Sequence, residues 1–192
     1  MSGDLETVER SVHAKARDVL AFWFELLMPE QHFAKSDSVD AAIRERFADL
    51  REELLETGAR GWRDDPETLL AAVIVLDQFS RNLFRGDAEA YAADPLAREL
   101  AIDAINRGWD RGMPDPHRQF LYMPLMHAED IRLQQLSVAK FAETELEEAL
   151  DYAYDHRDVI ERYGRFPSRN AALGRESTPA EREYLSQPDA GW

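Results

Sequence analysis

The strongest constraint in this chain is a run of eight residues with no polar member, Leu69 to Leu76 (LLAAVIVL). It is far shorter than the roughly 20 residues that cross a bilayer. It is also apolar on every side, so it cannot lie on a wetted surface and other elements must surround it. The stretch that follows, LDQFSRNLFRGD at 76–87, then places Asp77, Gln78, Arg81, Asn82 and Arg85 within nine positions. Any fold must bury the first part and find hydrogen-bonding partners for the second.

The surrounding punctuation is helical. Four dipeptides, Asp65-Pro66, Asp94-Pro95, Asp115-Pro116 and Thr178-Pro179, join a capping residue to a proline. The side chain can accept from free backbone N–H groups, and proline at the first helical position gives up a donor that has no partner there anyway. Thr178 with Glu181 adds a capping box. Gly58, Gly86, Gly108 and Gly164 stand where helices should stop. Ile43, Phe47, Leu50 and Leu54 recur at helical spacing, and no convincing alternating strand is present. Helices are expected at 12–28, 38–57, 66–85, 95–107, 116–123, 128–142, 144–163 and 179–187, with a kink or break at Pro124 and an extended arm at SQPDAGW. Short connections imply antiparallel neighbours. No linker divides the 192 residues, so one all-α domain with a core over about 12–187 is expected.

On a helix, Asp77, Arg81 and Arg85 lie at i, i+4 and i+8 and form a polar wedge with Gln78 and Asn82. A second concentration lies near the C-terminus. Between Arg162 and Arg175 there are four arginines and no acid, in a chain of net charge −15. Arg165, Arg169, Asn170 and Arg175 from this island, and the wedge arginines, suit a phosphate or carboxylate. Arg157 falls on the apolar stripe of its helix with Leu146, Leu150, Ala153 and Ile160, so an acidic partner is expected, with Glu129 or Asp77 as candidates. The aromatics Phe22, Trp23, Phe24 and Trp109 read as core. His127 and Glu129 with His156 have no diagnostic metal spacing, and no nucleotide or hydrolase motif occurs, so neither metal nor cofactor is expected.

The acidity sets the partners. A charge of −15 repels nucleic acid and anionic lipid. The polar N-terminus shows no apolar stretch of the secretory kind, and a cytoplasmic location is expected. The absence of cysteine removes disulfides, thiolate sites and cysteine nucleophiles, and fits a reducing compartment.

Five segments, FWF at 22–24, LDQFSRNLFRG at 76–86, FLYMPLMHAED at 120–130, HRDVIERYGRFPSRN at 156–170 and LGREST at 173–178, together resemble a bacterial family of uncharacterised proteins, domain of unknown function 924. The resemblance runs in order over about residues 17–187. It implies a tetratricopeptide-like fold, with helix pairs stacked as a short right-handed superhelix, and no established reaction. The family pattern usually has histidine where this chain has Ser168, and serine where it has Ala128.

The leading functional reading is a binding or scaffold module with an arginine-lined polar pocket for an acidic peptide or small anion. The alternative is an enzyme acting on a small anionic metabolite, with Glu129 or His156 as general base. A third reading makes the polar motif pure architecture. Pocket and architecture differ in one respect: a pocket leaves guanidiniums converging on open space, whereas architecture pairs every one internally.

Overall fold

The computed structural model describes residues 2–188 together with 190 and 191, and side chains from Glu9 onward. Every regular element among the described residues is helical: α1 (Ser2–Ala21), α2 (Asp37–Thr57), α3 (Pro66–Ile74), α4 (Ser80–Leu83), α5 (Asp94–Asn106), α6 (Asp115–Met126), α7 (Ile131–Phe141), α8 (Glu147–Tyr163) and α9 (Pro179–Leu185). Two turns open to π geometry. Phe22–Leu26 ends α1, and Val75–Phe79 joins α3 to α4, so that α3, the π turn and α4 make one rod from Pro66 to Leu83.

The rod lies where its composition requires. Leu69 to Leu76 are all buried, and α3 packs against α1, α5 and α6 while its π turn packs against α2. Farther along the chain, α5 packs on α6, α6 on α7 and α7 on α8. One hydrophobic cluster runs through α1, α2, the rod, α5, α6, α7 and α8. At its centre Trp23 meets Phe79 and Phe120 edge-on at 5.5 and 5.3 Å, and Phe47 stacks on Phe79 at 5.0 Å. Phe22 and Trp23 are buried, while Phe24 and Trp109 pack on the rim of the core.

The helix ends show which capping signals were genuine. Asp65 accepts from the backbone N–H groups of Glu67 and Thr68, and Thr178 with Glu181 forms the reciprocal capping box. Gly58 at +62° and Gly164 at +70° end α2 and α8 in the left-handed conformation that glycine adopts without a Cβ clash. Asp94 and Asp115, however, are not caps; each lies inside the first turn of its helix and turns its carboxylate to arginine. Pro124 does not break α6, which continues to Met126. Only one backbone bond, to the carbonyl of Phe120, has to be given up that close to the helix end. The described tail residues fold back rather than extend, since a Cβ on Gly191 would come within 2.7 Å of the Ser168 Cβ. Asp189 and Trp192 of that arm lie outside the described residues.

Candidate functional site

The polar end of the rod divides in two. Asp77 and Arg81 face α5 and α6, whereas Asn82 and Arg85 face α2. Asn82 donates to Asp40 Oδ1 at 2.7 Å, and Arg85 closes on both oxygens of Asp40 at 2.7 and 2.9 Å. The single wedge expected from a regular helix is therefore corrected. Hydrogen bonding in the π turn reaches one residue farther back than in an α-helix and shifts the phase of all that follows.

The inner half is a buried ion network. Asp77 is fully buried and receives three groups: Gln78 on one oxygen, and on the other Arg81 at 3.1 Å and His127 Nδ1 at 2.8 Å. Burial alone would raise its carboxyl group, but the Arg81 guanidinium and His127 outweigh that effect and hold it well below the usual carboxylate range. Asp77 is thus an anion that can only accept, so His127 carries its proton on Nδ1. Burial, with the charge of Arg81 behind it, lowers the His127 imidazole against the pull of Asp77. It is consequently neutral near pH 7, with its lone pair on Nε2. Arg81 also closes two-pronged on Asp94 at 2.9 and 3.1 Å.

Arg169 is brought to the same place from the C-terminal segment. Its guanidinium lies between the rings of Tyr91 and Phe166, 4.6 Å from each centroid, and donates to the backbone oxygen of His127 at 2.9 Å. It reaches Asp94 at 3.4 Å, on an oxygen that Arg81 already holds. Burial and then the neighbouring Arg81 lower its hold on the proton more than Asp94 and Glu129 restore it. Beside it, His156 lies 6.1 Å from His127 between ring centres and bonds through Nδ1 to the Tyr152 carbonyl at 2.7 Å. Burial, then His127 and Arg169, bring it down to about 3.

The remaining island residues bind one another. Arg175 closes on Glu129 at 2.8 and 2.9 Å and also donates to Asn170 Oδ1 and the Phe166 carbonyl. Glu129 accepts from the Phe166 N–H as well. Burial would raise its carboxyl, yet Arg175 and that N–H hold it low. Arg165 closes on Glu181 at 2.6 and 2.8 Å, and Asn170 donates to Ser177 and Glu181. Neither base of the enzyme reading suits proton abstraction near neutrality, because Glu129 has both oxygens engaged and His156, buried and brought down to about 3, is too weak a base.

Arg157 departs from expectation. It reaches neither Glu129 nor Asp77 but pairs with its neighbour Asp158 at 2.6 Å, over the ring of Tyr154. The buried stripe of α8 is Ala149, Ala153, His156 and Ile160, so the polar residue on the inner face is the histidine one position earlier. The structure thus brings together Asp77, Gln78, Arg81 and Arg169, with Glu129, Arg165, Asn170 and Arg175 adjoining. It adds Asp94 and His127, which sequence reasoning did not select: Asp94 was disguised as a helix cap, and His127 lies 50 positions from its carboxylate partner. Two cavities lie elsewhere, one of about 210 Å³ between α1 and α3 and one of about 740 Å³ along the outer side of α8 and α9. None of the candidate residues lines either of them.

Among the described residues no helix is long and apolar enough to cross a membrane. The family model for bacterial proteins of unknown function, DUF924, matches residues 19–189. A solved structure of a protein of unknown function from Agrobacterium tumefaciens is 42% identical, with a TM-score of 0.85 over 91% of this chain and 98% of that one. No curated protein matches. With the family model spanning nearly all of its length, the chain belongs to the DUF924 family of bacterial proteins.

Proposed function

We propose that this protein is a binding module for a small anion or the carboxylate of an acidic peptide, with recognition centred on Arg169. One observation carries the reading. Arg81, Arg85, Arg165 and Arg175 each close two-pronged on a carboxylate. Arg169 has only a 3.4 Å edge contact to a carboxylate already taken by Arg81. Arg81 has Asp77 as well as Asp94, so Arg169 is the less satisfied of the two guanidiniums, and the rings of Tyr91 and Phe166 hold it in place. An incoming anion would meet a fixed fork with no side-chain entropy left to lose. The other arginines serve architecture, and the broad pocket narrows to this single guanidinium.

Isothermal titration with inorganic phosphate and with succinate tests the reading. The wild type is expected to bind at least one of them, Arg169→Ala to lose that binding, and Arg85→Ala to keep it. Absence of binding by the wild type, or equal binding by Arg169→Ala, would overturn it.

A further inference from the structure

The cavity of about 740 Å³ along the outer side of α8 and α9 falls within the range of about 300–1,000 Å³ that takes small ligands. Helix α8 turns two stripes in different directions. Ala149, Ala153, His156 and Ile160 are buried against the core, whereas Tyr152, Asp155, Val159 and Arg162 line the cavity. The second set recurs at i, i+3, i+7 and i+10, which is one face of a helix. Tyr184 joins it from α9, with its ring centre 5.3 Å from that of Tyr163.

Two opposite charges in this cavity are left open by their neighbours. Asp158 stands four residues before Arg162, the usual spacing of a helical acid–base pair, but it closes on Arg157 at 2.6 Å instead. Arg162 lies over the ring of Tyr163 at 5.1 Å, and among the described residues no carboxylate reaches it. Asp155 likewise has no cationic partner among the described residues. Asp155 and Arg162 are seven positions apart on the same face, so about 10 Å separate their backbone positions along the helix axis.

We infer that this cavity binds a free peptide of about three residues as a zwitterion, its terminal ammonium on Asp155 and its terminal carboxylate on Arg162. An extended chain advances about 3.3–3.6 Å per residue, so three residues span the gap between the two charges. The rings of Tyr152 and Tyr184 give the middle side chain an apolar surface to lie against. A zwitterion has no net charge, so the field of a chain of net charge −15 neither gathers nor repels it, and recognition falls to the two local groups. Arg169 does not line this cavity, so this site and the anion site stand or fall separately.

Alanyl-phenylalanyl-alanine is titrated calorimetrically into the full-length protein, beside its N-acetylated and its C-amidated forms. The wild type should bind the free tripeptide, and either cap should weaken binding about tenfold by removing a charge-assisted hydrogen bond. Asp155→Asn should weaken the free peptide by a similar factor and make the acetyl cap cost nothing further. Arg162→Gln should do the same for the amide cap. Both residues are exposed, so neither substitution disturbs the core. Glu56→Gln, which removes one charge from the exposed side of α2, should leave binding unchanged. No binding by the wild type overturns the inference. So does binding that either cap leaves intact. A cap penalty that persists in full in Asp155→Asn or in Arg162→Gln also overturns it, because the peptide would then lie elsewhere.

Discussion

His156 offers the most quantitative test of how the buried network is built. Its imidazole is buried on the inner stripe of α8 and brought down to about 3, chiefly by burial. In the unfolded chain it titrates near 6.5. Its folded pKa is therefore depressed, so its contribution to stability is present in full above pH 6.5 and is lost as pH falls toward the folded value. The unfolded state takes up a proton that the native state refuses, and the slope approaches 1.4 kcal/mol per pH unit. Between pH 8 and pH 5 the loss from this one ring integrates to about 2 kcal/mol, or about 4–8 °C in melting temperature for a chain of this size. Other histidines and the carboxylates titrate over the same span, so the measurement is a difference. Urea unfolding of the wild type and of His156→Gln is followed at pH 8, 7, 6 and 5, with glutamine able to keep donating to the Tyr152 carbonyl. The wild type should lose about 2 kcal/mol more than the variant across that interval. Parallel curves, or a His156 resonance that titrates near 6.5 in the folded protein, would show that the ring is not held neutral by burial.

Further outcomes follow from the same contacts. Arg81→Ala leaves the fully buried Asp77 with His127 and Gln78 alone, so it should cost about 3 kcal/mol in urea unfolding. Arg85→Ala, in the same motif but 37% exposed, should cost less than about 1 kcal/mol. Glu181 is held down to about 2 by Arg165 and the Thr178 N–H, so its contribution exists above the ordinary carboxylate value and disappears as pH falls below it. Limited proteolysis at pH 3 should accordingly cut near α9 sooner than at pH 6, and Glu181→Gln should show the faster cutting at both. Asp65→Ala removes a cap with two N–H partners and should cost about 1 kcal/mol, whereas Asp94→Ala should instead release two arginines and cost more.

The fold was readable because its signals are local. Periodicity at Ile43, Phe47, Leu50 and Leu54 and the Asp65 and Thr178 caps are short-range physics, and the all-apolar stretch at 69–76 could only be a central rod. The site was readable only in part, since its chemistry is long-range. The i, i+4 pairing of Asp77 with Arg81 could be seen, but its extension to His127, 50 residues away, and to Asp94 could not. Arg51 shows the same limit. It is 1% exposed, bonded to Ser80 and Glu89 and stacked on Phe84, yet nothing in its neighbourhood on α2 sets it apart from the exposed charges of that helix. The π turn was equally silent, because a change from i→i+4 to i→i+5 bonding leaves no mark in composition.

That widened turn, Val75–Phe79, fixes the length of the rod that contains it. A π turn holds one residue more than the α turn it interrupts, so the protein carries a supernumerary position at the heart of its tightest packing. Inserting a further residue there, carried in α geometry, would rotate the C-terminal half of the rod by about 100°. The hydrocarbon half and the ionic half could then not both remain in register with their neighbours. Loops elsewhere in such a molecule can lengthen at little cost, but this stretch can change its letters and cannot grow.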